Sequence, residues 1–261
     1  MTSDLFEAGG IRVSHEGALV IVTLARPEVR NAQTPTMWTA LAEVGRWLPP
    51  SVRAVVLRSE GPTFSAGLDR RMFTPDGVPG EQSLVALTSL TDDVILHTIS
   101  EYQDAFTWWR SCDAITVAAV QGHAIGAGFQ LALACDLIVA DPSALFSMRE
   151  TSLGLVPDLA GTAPLVEMVG YARALEMCAS GRMVGAEEAL RLGLAVSVCD
   201  SGGLDQAVNE LLAPMVAAPA GALTATKHLL RAAQHRHPSA QRVAEREAQL
   251  ARLRDIANQG A

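Results

Sequence analysis

The sequence predicts an α/β fold with parallel strand pairing and helices over the sheet faces, followed by a mainly helical remainder. Two patterns carry this reading. Between residues 18 and 140, short β-branched or continuous apolar runs alternate with stretches of helical period, the order of strand–helix–strand units. From about Pro164 onward, apolar residues recur at helical spacing in one segment after another.

Residues 18–24 read as the first strand, a β-branched run ended by Arg26-Pro27. Thr34 then stands as a helix N-cap with Pro35 at the first helical position. A hydroxyl there accepts from an otherwise unpaired amide, and proline has no N–H to lose. Met37, Leu41, Val44 and Leu48 continue the helix until Pro49-Pro50 stops it. Residues 54–57 read as a buried strand. Residues 73–100 give a weaker pattern: 74–80 is turn chemistry, a mixed segment follows, and the whole is read as a mobile flap. Phe106, Trp108 and Trp109 fall on a helix, facing a core or an interface.

The alternation then resumes with a strand at 115–120, a helix at 129–134 and a strand at 137–140. Beyond Pro164, helices are expected at 165–169, 172–179, 186–192, 220–233 and 239–257, with one short strand at 195–198. In the last helix Val243, Leu250, Leu253 and Ile256 share a stripe that must be buried, either on the chain's own core or against another subunit. The expected organisation is a core over residues 1–198 and a helical C-terminal region over 199–261.

Composition narrows the function classes. The chain has 261 residues, 49% of them apolar and 18% charged, which excludes a disordered protein. Four cysteines lie far apart without a CxxC pair, which excludes a disulfide scaffold and argues against structural zinc. A formal net charge of -8 is a poor match for a nucleic-acid backbone. Residues 1–10 hold Asp4 and Glu7 and no apolar run, and no segment reaches membrane-spanning length. The expectation is a soluble cytoplasmic protein with neither a nucleic-acid nor a membrane partner.

Three segments could carry chemistry. In Gly61-Pro-Thr-Phe-Ser-Ala-Gly-Leu-Asp69, small residues after a strand let backbone amides approach a ligand. In Val120-Gln-Gly-His-Ala-Ile-Gly-Ala-Gly-Phe-Gln130, a strand passes through glycines into a helix, whose first amides suit an oxygen gaining negative charge. The spacing Gly126-x-Gly128 is not the dinucleotide fingerprint, so a Rossmann cofactor is rejected. The third segment, 146–161, sets Glu150 and Asp158 among small and apolar residues, where carboxyl pKa values rise toward neutrality. The structural alternatives are an N-cap for Asp158 and a surface ion pair for Glu150. His123 in the glycine turn reads as packing, and His97, His228, His235 and His237 lack metal-ligand spacing.

Taken together, Arg26-Pro-Glu-Val-Arg-Asn-Ala32, Phe64-Ser-Ala-Gly-Leu-Asp69, Gly122-His-Ala-Ile-Gly-Ala-Gly128, Cys135-Asp136 and Glu150-x3-Gly154-x2-Pro157 resemble the crotonase superfamily, the enoyl-CoA hydratase/isomerase family. The resemblance runs from about Gly17 to the C-terminal helix. It implies a crotonase-like spiral of ββα turns with a helical C-terminal region that forms homotrimers or homohexamers. It also implies an acyl-CoA thioester whose carbonyl oxygen is held by two backbone amides, carried over to Ala66 and Ala127. No cofactor is implied beyond the coenzyme A of the substrate, and no metal. By the same carry-over Val29, Arg30, Leu68, Asp69 and Gly126 lie near the bound CoA. Lys227 would meet its phosphates, with a solvated helix face as the alternative.

Departures from the family pattern bear on the reaction. Hydratases of the family generally use two glutamates, and one of those positions here is Gln130, which exchanges no proton near neutral pH. One carboxylate at Glu150 is enough to move a double bond while the amide pair holds the dienolate. Asp158 stands where many relatives have glycine, and its spacing from Glu150 partly resembles the dienoyl-CoA isomerase pattern. The expectation is an enoyl-CoA or dienoyl-CoA isomerase with Glu150 as proton shuttle and Asp158 as partner acid. Enoyl-CoA hydration and non-catalytic acyl-CoA binding are the alternatives.

Overall fold

A computed structural model describes the backbone of residues 2–259 and the side chains of residues 4–258, so residues 1, 260 and 261 at the ends of the expected divisions lie outside it. The chain opens with α1 (Thr2–Ala8), the hairpin β1 (Ile11–Glu16) and β2 (Leu19–Leu24), α2 (Pro35–Trp47), β3 (Ala54–Ser59), α3 (Leu84–Leu87) and α4 (Asp92–Ser111). There follow β4 (Ile115–Val120), β5 (His123–Ile125), α5 (Ala127–Leu133), β6 (Leu137–Ala140) and β7 (Leu145–Ser147). The rest is α6 (Thr162–Val169), α7 (Tyr171–Ser180), β8 (Val184–Gly185), α8 (Ala186–Leu192), β9 (Ser197–Val198), α9 (Leu204–Ala217), α10 (Ala220–Ala233) and α11 (Pro238–Gln259).

The main sheet has the order β1-β2-β3-β4-β6-β9. β2 to β3, β3 to β4, β4 to β6 and β6 to β9 all pair in parallel, and only the β1–β2 hairpin is antiparallel. All six residues of β4 are buried, as a central strand covered on both faces requires. One face packs Val22, Val55 and Leu57 with α2, α4 and α5, whereas the other packs Val56, Val117 and Val139 against Val208 and Leu212 of α9. α9 lies within residues 199–261 yet shares the sheet's own core. The helical C-terminal region is therefore continuous with the spiral on that face. The α10–α11 pair packs mainly on itself.

Thr34 caps α2 as its sequence predicts, its hydroxyl accepting from the Met37 amide at 3.3 Å. Residues 73–100, read as a flap, include α3 and the first half of α4, which belongs to the scaffold. A Cβ at Gly45 of α2 would lie 2.4 Å from the Trp108 ring, so glycine permits the close contact of α2 and α4. No helix among the described residues is long and apolar enough to cross a membrane.

A second sheet, β5-β7-β8, stands beside the first. β5 and β7 run in parallel with Ile125 opposite Ser147. The segments leaving β2, β3 and β4 at their carboxyl ends, and that leaving β7, converge at one end of the sheet, where open α/β sheets bind ligands.

Candidate active site

The turn after β2 is built on strain. Arg30 and Asn31 are both left-handed, at φ 56° and 51°, an uncommon conformation for residues with a Cβ. The buried Asn31 side chain holds it there. Its Oδ1 accepts from the Arg26 amide at 2.9 Å, and its Nδ2 donates to the Glu60 and Thr63 carbonyls at 2.9 and 2.8 Å. The turn is thereby locked to the segment after β3. Ser65 Oγ adds a bond to the Asn31 carbonyl at 2.8 Å, and Gln33 donates to Ser65 Oγ while accepting from Trp38 Nε1.

The segment after β3 runs alongside β5, with Ser65 paired in parallel to Ala124. The same register brings residues 67–68 beside residues 125–127. A Cβ on Gly67, at φ +85°, would lie 2.4 Å from the Ile125 carbonyl oxygen and 3.5 Å from the Ala127 nitrogen. Gly128 is equally confined, its Cβ direction meeting the Ser65 carbonyl at 2.6 Å. Glycine is needed at both positions for backbone to approach backbone.

This packing corrects one expected amide donor. The Ala66 N–H donates to the Arg30 carbonyl at 2.9 Å and is not free for a ligand. Along an extended chain successive amides point to opposite sides. Gly67 O accepts from Gln33 N and Asp69 N donates to Gln33 O, so Leu68 turns its own N–H away from that partner. Neither Leu68 N–H nor Ala127 N–H has a hydrogen-bond acceptor among the described residues. Ala127 is the first residue of α5, where an amide has no intrahelical partner.

Glu150 begins a 3-10 turn (Glu150–Leu153) after β7 and is 8% exposed. Its carboxylate lies over the glycine turn, with Oε1 3.3 Å from where a Gly126 Cβ would stand. Gln130, on the next turn of α5 and 1% exposed, donates from Nε2 to Glu150 Oε1 at 2.6 Å. Gln130 Oε1 accepts from the Leu159 and Gly161 amides at 3.0 and 3.3 Å. Glu150 Oε2 is buried and receives no hydrogen bond from any described residue. Burial pushes the Glu150 carboxyl pKa up, the backbone amides at Glu150 and Arg149 and the Gln130 bond oppose this, and the nearby Asp158 charge adds to it. Glu150 is thus not in a surface ion pair.

Asp158 does not cap α6, whose N-cap is Gly161. It sits at the rim of the same site with surface exposed to solvent, yet the protein crowding its carboxyl raises its pKa. Gln103 of α4 donates to its carbonyl at 2.7 Å, so the flap-side helix braces this loop.

Val29 and Arg30 flank the strained turn, half-buried and exposed respectively, and Leu68 is half-buried beside them. Asp69 is buried but engaged: it accepts from Arg71 Nε at 3.1 Å and Nη2 at 2.8 Å, which lowers its pKa. Lys227 is not at this site. Its ammonium is buried at the opposite, amino end of the parallel strands, donating to the Ala114 carbonyl at 2.6 Å and Asp136 Oδ2 at 2.7 Å. That excludes the solvated helix face read from sequence, and it leaves the ammonium engaged by protein partners at the position where a CoA phosphate contact was expected. Of the residues that build the site, Gln33 was passed over in the sequence, whereas Ser65 and Gly161 fall in the segments singled out there, without the hydrogen-bonding and close-packing parts they have here. A polar Gln33 just before a helix N-cap was the available signal.

Comparison with known proteins gives the family. Residues 14–254 match the family model for enoyl-CoA hydratase/isomerase. A candidate enoyl-CoA hydratase from Thermobifida fusca YX, solved in complex with acetoacetyl-CoA, is 46% identical and superposes with a TM-score of 0.93 over 97% of this chain and 98% of that one. A candidate enoyl-CoA hydratase of Rhodobacter capsulatus is 34% identical, over 83% of this chain and 79% of its relative. The 4-chlorobenzoyl coenzyme A dehalogenase-2 of an Arthrobacter species is 31% identical, over 80% and 73% of the two chains. The chain has the crotonase fold and belongs to the enoyl-CoA hydratase/isomerase family.

Proposed function

We propose that the chain moves a double bond in an enoyl- or dienoyl-CoA thioester by proton transfer through Glu150. The thioester oxygen accepts from the Leu68 and Ala127 amides, so negative charge developing on it during deprotonation meets fixed donors. One such donor is worth about 3 kcal/mol in the transition state. Glu150 Oε2 takes a proton from the carbon next to the thioester and returns it two carbons further along, leaving the double bond shifted and the enzyme unchanged. Asp158 supplies or accepts a proton at the far end of a conjugated chain. Val29 and Arg30 lie where the CoA moiety passes along the strained turn. The chemistry uses these groups and the substrate's own coenzyme A.

One observation carries the preference for isomerisation. The site has a single free, buried carboxylate oxygen, and the neighbouring amide Oε1 of Gln130 is filled by two backbone N–H groups. Gln130 can neither exchange a proton nor use that oxygen to orient a water molecule. The second reading is addition of water with Glu150 and Asp158 as the two acids, favoured by the names of the Thermobifida and Rhodobacter relatives. Incubation with 2-enoyl, 3-enoyl and dienoyl thioesters in deuterated water separates the two by mass spectrometry. Isomerisation shifts the double bond without gain of the mass of water, with deuterium at carbon to the extent that the proton on Oε2 exchanges with solvent while it is held. Addition of water at the faster rate would displace the isomerase reading.

A further inference from the structure

We propose that Gln130 is a positioning residue, a two-sided clamp that confines the mobile proton of Glu150 to Oε2 and fixes the loop bearing Asp158. The inference rests on Glu150 being the proton shuttle. Its orientation follows from hydrogen-bond chemistry. Two backbone N–H groups, of Leu159 and Gly161, converge on one end of the side-chain amide, so that end is the carbonyl oxygen. The other end is then the NH2 group, facing Glu150 Oε1 at 2.6 Å as a donor. Protonation at Oε1 would weaken this bond, since a hydroxyl oxygen accepts less well than a carboxylate oxygen, so the proton that Glu150 takes up is favoured on Oε2, the atom with no side-chain partner.

The same amide holds the loop. Ala160 lies between the two bound amides at φ 60°, a strained conformation for a residue with a Cβ. A Cβ on Gly161 would lie 2.7 Å from Gln130 Cγ, so the loop closes on the amide only with glycine there. Asp158 precedes this turn by one residue and takes its place from it. The other groups facing Glu150 are few. Asp158 raises the cost of its charge, Cys178 of α7 is near enough to feel that charge, and Arg149 turns away to the Gly181 carbonyl. The backbone amides at Arg149 and Glu150 also stabilise the charged form, and among the described side chains Gln130 is the one that donates to the carboxylate, on Oε1 and not on Oε2.

The test compares wild type with Gln130→Glu and Gln130→Met, following the double-bond shift of an enoyl-CoA thioester across pH. Carboxyl titration is read separately by 13C NMR of glutamate-labelled protein, with Glu150→Gln assigning the signal. In Gln130→Glu the two backbone amides are still met, but a carboxylate faces a carboxylate across the short contact, and such pairs share a proton. The acid limb of kcat and the Glu150 titration should both move upward by about one pH unit or more. KM for the thioester should change less than threefold. Gln130→Met removes donor and acceptor together, so the Glu150 titration should again move upward while kcat falls at least tenfold. An unchanged Glu150 titration in whichever variant folds would overturn the clamp. Absence of a double-bond shift in the wild type would instead overturn the isomerase reading, while an upward Glu150 titration in the variants would still show that Gln130 holds the Glu150 carboxylate.

Discussion

A carboxylate that must take a proton from carbon is a stronger base where water cannot stabilise its charge, and Glu150 occupies such a place. Burial raises its pKa, and the backbone amides and the Gln130 donor only partly offset this. The base form is therefore reached at higher pH than for an ordinary glutamate, and activity should fail on the acid side earlier than an unperturbed carboxylate would dictate. Glu150→Gln should lower turnover by about 10²–10⁴-fold, the usual worth of a general base, while CoA affinity is retained. Linkage gives a second expectation. A carboxyl whose folded pKa is raised favours the native state below its unfolded pKa and costs stability as pH rises through the folded value. Glu150→Gln should accordingly raise the melting temperature relative to wild type at pH 8 but not at pH 4. A variant that is inactive and no more stable at pH 8 would show that the carboxylate is not desolvated.

At the scale of elements, the site depends on three backbone segments pressed together, and Asn31 is the tie between two of them. Asn31→Ala deletes bonds to Arg26, Glu60 and Thr63 and leaves buried polar groups unpaired, in a residue already at positive φ. The expected loss is about 2–4 kcal/mol, read from urea unfolding. CoA affinity should fall with it, because the Ala66 and Leu68 region loses its anchor. Much of this scale was legible in the sequence. β4, β6 and α8 lie where apolar runs and helical periods place them, since each has a full turn or an unbroken buried run to signal it. β5, β7 and β8 span two or three residues, too few for a period to show. β1 reads Ile-Arg-Val-Ser-His-Glu, an edge strand whose outward face is polar, and α9 carries Pro214 within it. The choice between Ala66 and Leu68 was not legible at all. Residue type does not report which side an amide faces, and a shift of one or two positions along extended chain decides it.

Across the whole molecule, two features lie away from the chemistry and set its architecture. Lys227 ties α10 to the amino ends of β4 and β6 through Asp136, which also accepts from the Thr116 amide at 2.8 Å. Lys227→Ala breaks a buried pair and should cost about 3 kcal/mol in unfolding experiments, with CoA affinity in the folded protein within twofold of wild type. A selective loss of CoA binding would restore the phosphate role that the burial of Lys227 argues against. The second feature is α11, where Val243, Leu250, Leu253 and Ile256 remain exposed, Ile256 at 65%. An amphipathic helix whose apolar stripe meets only solvent is costly to form, and α10 covers only part of α11. We propose that the stripe closes against other copies of the chain in a homotrimer or homohexamer. Leu253→Glu with Ile256→Glu places charge on that stripe and touches nothing at Glu150. Light scattering should then give a mass of three or six chains for wild type and a smaller one for the double variant, with CoA still bound. A monomeric wild type would leave the stripe without this role, and the α10–α11 pair would then have to cover its apolar face by folding back on its own chain.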